Sequence, residues 1–506
     1  MTARASSARL IVHKKTNAPS TFPPCYYSSS FTQKIYRFLL HSYDPKSYFE
    51  HLMNVASNYE QWAAAGAMLD RLTENEKWKN DPTSKDYDYQ LLQDRLVQLQ
   101  RARESGDLGA MMFMIRTSLS RNLGDMGNPK LYGNSYVGTK KLIEEYIDEV
   151  TRQMNFICDT ESSEFSANAK YAFFTNTQRA FGRTALCLSG GGGLALSHVG
   201  VLKALFEAKL APRVISGSSG GSIVAAVFCT RTDEEWPLLF DPKNVAVKLF
   251  EREEEEGDVL AKVARLFKHG VVYDVEVFIG EMRRNIGDVT FQEAFNRTRR
   301  ILNITVSSST MYEMPRLLNY LTAPNVIIWS AVAASCAIPF VYRSAPLMAK
   351  DKIGNFIPWN PSGHRWIDGS VEGFLLSYPS VNPHIVPFMD TSPAPSLLSR
   401  CANQLAFLVR TEIHHRLTQL ADLGISFSIF SHIRSILSQK YYGDVTIVPD
   451  FRLADTLKAI GNPDLEMMNY CYYLGERAAW PRIPILRNHC QVELCLDEVL
   501  YRIRIR

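Results

Sequence analysis

Apolar positions recur at three- and four-residue spacings through the first third of the chain, then crowd around glycine clusters in the middle. Tyr59 to Leu72 places Trp62, Ala65, Met68, Leu69 and Leu72 on one helical face. Gln90 to Arg103 does the same with Leu91, Leu92, Leu96 and Leu99. A third long helix is expected from Thr139 to Cys158, carrying Leu142, Tyr146, Val150 and Met154. Residues from Lys46 to about Phe181 therefore read as a helical module. Before it, residues 33–42 have the pattern of a short helix, and residues 1–32 are rich in Pro and Ser and expected to be poorly ordered.

The pattern changes at Arg183. Thr184-Ala185-Leu186-Cys187-Leu188 is a short apolar run followed by four glycines, then a helical stretch from Ser197 to Leu210. Val214-Ile215-Ser216, a Gly/Ser turn and a second helix from Gly221 to Cys229 come next. Strand, glycine loop, helix, strand, tight turn, helix is a βαβα unit, so the fold class is α/β with a mainly parallel sheet. A further strand is expected at Ile301 to Ser307, where Asn303-Ile304-Thr305-Val306 is β-rich. Beyond about Ala394 helices return, at Leu397 to Leu423, Phe427 to Leu437 and Glu493 to Arg502. Four regions follow: 1–42, 43–181, 182–393 and 394–506.

Composition narrows the partners. A formal net charge of +4 over 506 residues gives no case for a nucleic-acid binder. The nine cysteines are scattered with no C-x-x-C pair, so neither a zinc site nor a disulfide framework is expected, and a reducing compartment is the simplest setting. The first residues carry no apolar core of a secretory signal. The longest apolar stretch, Val326 to Tyr342, is broken by Ser330, Ser335 and Pro339 and reads as buried structure rather than a membrane span. An intracellular protein that meets lipid from the side is the expectation.

Three features carry candidate chemistry. Gly217-x-Ser219-x-Gly221 lies between an apolar strand and a helix, where a serine hydroxyl is held exposed on a strained turn. Taken alone the motif is weak, with on the order of 0.1 matches expected by chance. Its placement after Val214-Ile215 raises it. Ser189-Gly190-Gly191-Gly192-Gly193 also follows a strand directly, and its unobstructed N–H groups suit a phosphate cradle or an oxyanion hole. Leu194-Ala195-Leu196 follows where a phosphate loop needs Gly-Lys-Ser/Thr, which favours the oxyanion hole. The third feature is Trp366-Ile367-Asp368-Gly369-Ser370, a carboxylate at a strand end that is equally a common turn signal. No histidine stands out as a triad base: His198, His364, His384, His414, His415 and His489 all lack a specific context.

These motifs, with His198-Val199-Gly200-Val201-Leu202 between them, resemble those of the patatin-like acyl hydrolases. The resemblance implies a three-layer fold in which a Ser–Asp dyad replaces the triad. Ser219 would be the nucleophile and Asp368 the general base, with Gly190, Gly191, Gly192 and Gly193 forming the oxyanion hole and no cofactor or metal. The helical module, through Ser57-Asn58-Tyr59-Glu60-Gln61-Trp62 and Arg121-Asn122-Leu123-Gly124, is similar to that of the intracellular triacylglycerol lipases of fungi, plants and protists. Later stretches, Gly443-Asp444-Val445-Thr446-Ile447 and Gly475-Glu476-Arg477-Ala478-Ala479-Trp480-Pro481 among them, extend the likeness from about Tyr43 to Arg502. It implies an acylglycerol or other lipid ester as substrate, met at a lipid droplet or membrane surface.

Two departures stand out. Leu194 occupies a place where many patatin-like enzymes carry Arg or Lys. Between Gly373 and Val381 only Phe374 to Ser380 intervene, roughly one αβ unit of ~20 residues short. That leaves open a lipid-surface protein impaired in turnover. A phospholipase or lysophospholipid acyltransferase is the other alternative; His269-x4-Asp274 matches an acyltransferase spacing, but among 11 histidines one such pair is expected by chance about as often as not.

Overall fold

A computed structural model of the protein describes residues 44–161, 165–245, 250, 259–308, 316–338, 341–360, 365–368, 380–383, 408, 412, 415–416, 419, 443–452, 455 and 461–505. The helices expected at 33–42 and 427–437 lie outside the described residues, as does nearly all of 397–423.

The helical module begins with α1 (Pro45–Val55), where Asp44 caps the first turn and Pro45 fits a position that needs no N–H. It continues through α2 (Tyr59–Leu72), α3 (Asn75–Asn80), α4 (Tyr89–Glu104) and α5 (Leu108–Ser118). It closes with α6 (Lys141–Asp159) and α7 (Ala167–Phe181). Asn58 and Asp88 cap α2 and α4 by accepting from Gln61 N–H and Leu91 N–H. Along α6 the buried residues Ile143, Tyr146, Ile147, Val150, Met154 and Ile157 keep the helical period and pack on α4.

The second half is built on a seven-stranded sheet. Its strands are β1 (Ala185–Leu188), β2 (Val214–Gly217), β3 (Ile301–Ser308), β4 (Arg316–Leu318), β7 (Trp366–Asp368), β8 (Ser380–Pro383) and β9 (Val445–Ile447). The order is β4-β3-β2-β1-β8-β9, with β7 on β3. Pairs among β3, β2, β1, β8 and β9 are parallel; β4 and β7 run antiparallel to β3. A separate hairpin joins β5 (Met348–Lys350) to β6 (Phe356–Pro358). The sheet is thus mixed but mainly parallel, and β9 brings the stretch 394–506 into it.

Helices α8 (Ser197–Glu207), α9 (Gly220–Cys229), α10 (Trp236–Leu239), α11 (Val259–His269), α12 (Val275–Ile286), α13 (Phe291–Thr298) and α14 (Ile328–Ser335) connect the strands. All eight residues of α14 are buried, and with α9 it packs directly on the strands. The apolar run from Val326 is therefore core. Helix α8 stops three residues before its expected end, because Lys209 takes a left-handed conformation (φ 57°) while Leu210 N–H and Lys209 N–H bond back to Leu205 and Phe206 carbonyls.

Two C-terminal helices return to the body. On α15 (Leu465–Ala479), Gly475 meets α8 so closely that a Cβ there would lie 1.9 Å from the Ser197 carbonyl oxygen. The last helix, α16 (Ile483–Ile505), starts ten residues before the Glu493 expected from the apolar pattern. Pro484 suits its first turn, and the polar residues Arg487, Asn488, His489 and Gln491 hide the period. It packs on α6 and α7, which joins the C-terminal helix to the helical module. Arg121 seals that junction: its guanidinium donates to Thr184 Oγ1 (2.6 Å), Gly182 O, His489 O and Glu493 Oε2 (3.1 Å). No described helix is long and apolar enough to cross a membrane.

Candidate active site

Strand β2 ends at Gly217 and α9 begins at Gly220, so the chain reverses within two residues. Ser219 takes φ 51° and ψ −131°, a conformation almost confined to glycine and costing on the order of 1–3 kcal/mol. The surroundings hold it there. Ser219 N–H donates to Ser335 Oγ (3.0 Å), whose own hydroxyl donates to Thr305 O (2.7 Å). Ser222 Oγ donates to Ser219 O (2.7 Å). The motif glycines are demanded by contact: a Cβ on Gly221 would lie 2.2 Å from Leu188 O, and one on Gly217 2.6 Å from Gly221 O.

The glycine loop lies against this turn. A Cβ on Gly190 would stand 2.9 Å from Ser219 Cβ and 3.5 Å from its Oγ. Gly191 (φ 158°) and Gly192 (φ 56°) adopt backbones that L side chains rarely reach, and Gly193 and Leu194 continue as a buried 3-10 turn into α8. Gly192 in turn faces α9, since a Cβ on Gly220 would lie 2.8 Å from Gly192 O and 3.4 Å from its N. His198 secures the start of the loop through Nε2, 2.9 Å from Ser189 O. Burial lowers its imidazole to about 4, so the ring stays neutral and donates to that carbonyl. Among the described residues no histidine hydrogen-bonds Ser219.

Asp368 lies just beyond the end of β2. A strand has two edges, and Val306 of β3 pairs with Arg316 on one and Asp368 on the other. The second edge is the one β2 occupies from Ile301 to Ile304. Strand β7 therefore lies in the lane of β2, running head-on toward it. Gly217 is opposite Ile304 and Asp368 is opposite Val306, two residues or about 7 Å further on. Asp368 is fully buried, and its N–H donates to Ala337 O (3.3 Å). Burial pushes the Cys336 thiol up and the Asp368 carboxylate adds to the shift, while Cys336 Sγ lies 3.8 Å from Ser222 Oγ. Gly369 lies outside the described residues.

The Ser219 turn and the glycine loop are thus in contact, and β7 ends with Asp368 in the lane just beyond the end of β2. The roles of Ser335, Ser222 and Cys336 escape the motif reading. Ser335 registers in the sequence only as a break in an apolar run. A hydroxyl there must find a buried partner, which was the available signal. His269 is exposed, with Nδ1 3.4 Å from an Arg343 nitrogen, and Asp274 caps α12, so each has a local structural use.

The patatin-like phospholipase family model matches residues 186–375, and a domain of unknown function (DUF3336) matches residues 40–179. Triacylglycerol lipase ptl3 of Schizosaccharomyces pombe is 35% identical over 471 residues, covering 89% of this chain and 96% of that protein. The chain belongs to the patatin-like family. Triacylglycerol lipase 4 of Saccharomyces cerevisiae is 38% identical over 89% of this chain, and Triacylglycerol lipase SDP1L of Arabidopsis thaliana 37% over 90%. This patatin-like chain spans about half the length of those two, 52% and 58%. The boundary between the two family models falls at residues 179–186, where the helical module passes into β1.

Proposed function

We propose that this protein is a serine acyl hydrolase that cleaves fatty-acyl esters of neutral lipid, triacylglycerol first. The observation that supports the reading is the strained Ser219 turn with the glycine loop packed against it, and β7 ending at Asp368 just beyond the end of β2. The names of the relatives point to the same substrate class.

In this mechanism Asp368 takes the Ser219 proton as Oγ attacks the acyl carbonyl. The carbonyl electrons move onto oxygen, and N–H groups of the Gly190–Gly193 loop hold the oxyanion. As the intermediate collapses the ester C–O bond breaks, and the departing alcohol oxygen takes the proton from Asp368. Water then attacks the acyl-serine, giving its proton to Asp368, and fatty acid leaves as Ser219 regains its hydrogen. The acylglycerol is met at a lipid droplet or membrane surface.

Purified protein incubated with radiolabelled triacylglycerol, and in parallel with phosphatidylcholine, tests this. Fatty-acid release from triacylglycerol that disappears in Ser219→Ala is expected. Turnover surviving in Ser219→Ala would overturn the assignment of the nucleophile, and release from phosphatidylcholine alone would overturn the substrate.

A further inference from the structure

An apolar cleft begins where the glycine loop meets the first turn of α9 and follows that helix away from Ser219. Gly192 and Gly220 form its near end, and Ile223, Val227 and Phe228 line its course, with Met282 of α12 opposite. Gly220, Ile223, Val224 and Val227 are spaced to share one helix face, so the cleft tracks α9 for about 12 Å between Gly220 and Phe228. Its empty volume is about 530 Å³, open mouth included. At the far end the Phe228 ring is fixed edge-on to Trp236, centroids 4.9 Å apart at 90°.

No lining side chain carries a charge. Asn285 and Tyr472 are the polar members. The Asn285 amide donates to Glu281 O (3.1 Å), and burial raises the Tyr472 phenol, which stays neutral. Such a lining rejects an ionised ligand and accepts an uncharged hydrocarbon chain. Gly220 at the near end directly follows Ser219, and Gly192 beside it belongs to the loop packed on the Ser219 turn, so an acyl chain can run from a carbonyl at the serine into the cleft.

We propose that this cleft holds the acyl chain of the ester under attack, and that Phe228 closes it and sets the preferred chain length. The inference rests on the hydrolase reading above. Each methylene that enters the cleft raises kcat/KM by roughly fourfold, and those beyond Phe228 add little.

The test uses the full chain and a series of p-nitrophenyl esters from acetate to palmitate, with folding of each variant checked by circular dichroism. For the unaltered protein kcat/KM climbs with chain length and then levels. Val227→Phe narrows the cleft midway and moves the plateau to shorter chains, lowering the long-to-short ratio by about tenfold or more. Leu239→Trp, at a half-buried position of the same lining, shifts the ratio in the same direction and serves if Val227→Phe does not fold. An unchanged ratio in the folded variants overturns the cleft assignment. Ser219→Ala is run beside them: if it still cleaves every ester, the hydrolase reading fails, whereas loss of cleavage with an unmoved ratio in the cleft variants fails this proposal alone.

Discussion

Asp70 in the helical module and Ser219 in the sheet half are both buried polar residues, and their surroundings treat them in opposite ways. Asp70 receives four donors: Lys79 Nζ (2.8 Å), Asn75 Nδ2 (2.9 Å), Tyr136 N–H (2.9 Å) and Val137 N–H (3.1 Å). It pins α2 to α3 and to the loop before α6, and every partner serves to keep it still. At Ser219 the hydrogen bonds go to the backbone, holding a costly φ in place, while glycines clear the space beside the hydroxyl. One region uses polar burial to close structure and the other uses it to aim a side chain. Strain belongs where chemistry needs a group presented, and saturation belongs where nothing should move.

Substitutions can break that contrast. The largest expected effect is on activity: Asp368→Asn lowers kcat for triacylglycerol by about 10⁴-fold, as loss of a carboxylate partner does in hydrolytic triads. The thermal midpoint should stay near that of the unaltered protein. Asp70→Asn acts the other way, leaving the buried Lys79 ammonium with only the part-exposed Glu76 carboxylate (3.2 Å) as ion-pair partner and costing about 3 kcal/mol in urea unfolding. The folded fraction should hydrolyse as before; a lowered kcat there would blur the division between the regions.

The His198 ring sharpens it further. Its folded value of about 4 lies below the ordinary 6.5, so the unfolded chain binds the extra proton first as pH falls. Stability from this group is complete above pH 6.5 and declines toward pH 4, by about 3 kcal/mol. In urea titrations across that window, His198→Gln should lose about that much less stability than the unaltered protein. The smallest effect is expected from Ser335→Ala, which removes the acceptor of Ser219 N–H. About 1–2 kcal/mol of stability should go, with kcat falling more than KM changes. A variant that lost stability with kcat intact would show that the turn keeps its geometry without this bond.

Much of this was visible in the chain because it is governed at short range. The elbow between β2 and α9 follows from two glycines flanking a serine after Val214-Ile215, and α2, α4 and α6 follow from apolar periods. Asp368 at a strand end was visible as a motif, but a turn signal fitted it equally well. What no local pattern carried is the lane of β7 beyond the end of β2, which depends on two edges of β3 being filled in one register.

The same holds for the partners of Ser219 and for the seal between the helical module and the C-terminal helix. Ser335 stands 116 residues from the serine whose N–H it accepts, and Glu493 stands 372 residues from Arg121. Contacts so distant leave no period or spacing to read. The sequence by itself determined the helical module, the βαβα core and the pairing of an elbow serine with a glycine loop, since steric limits on φ and the helical repeat act within a few residues. Only the tertiary structure decided that β7 places Asp368 beyond the end of β2, that Ser335 accepts from the elbow and that α9 borders an apolar cleft, because each depends on how separate segments share one core.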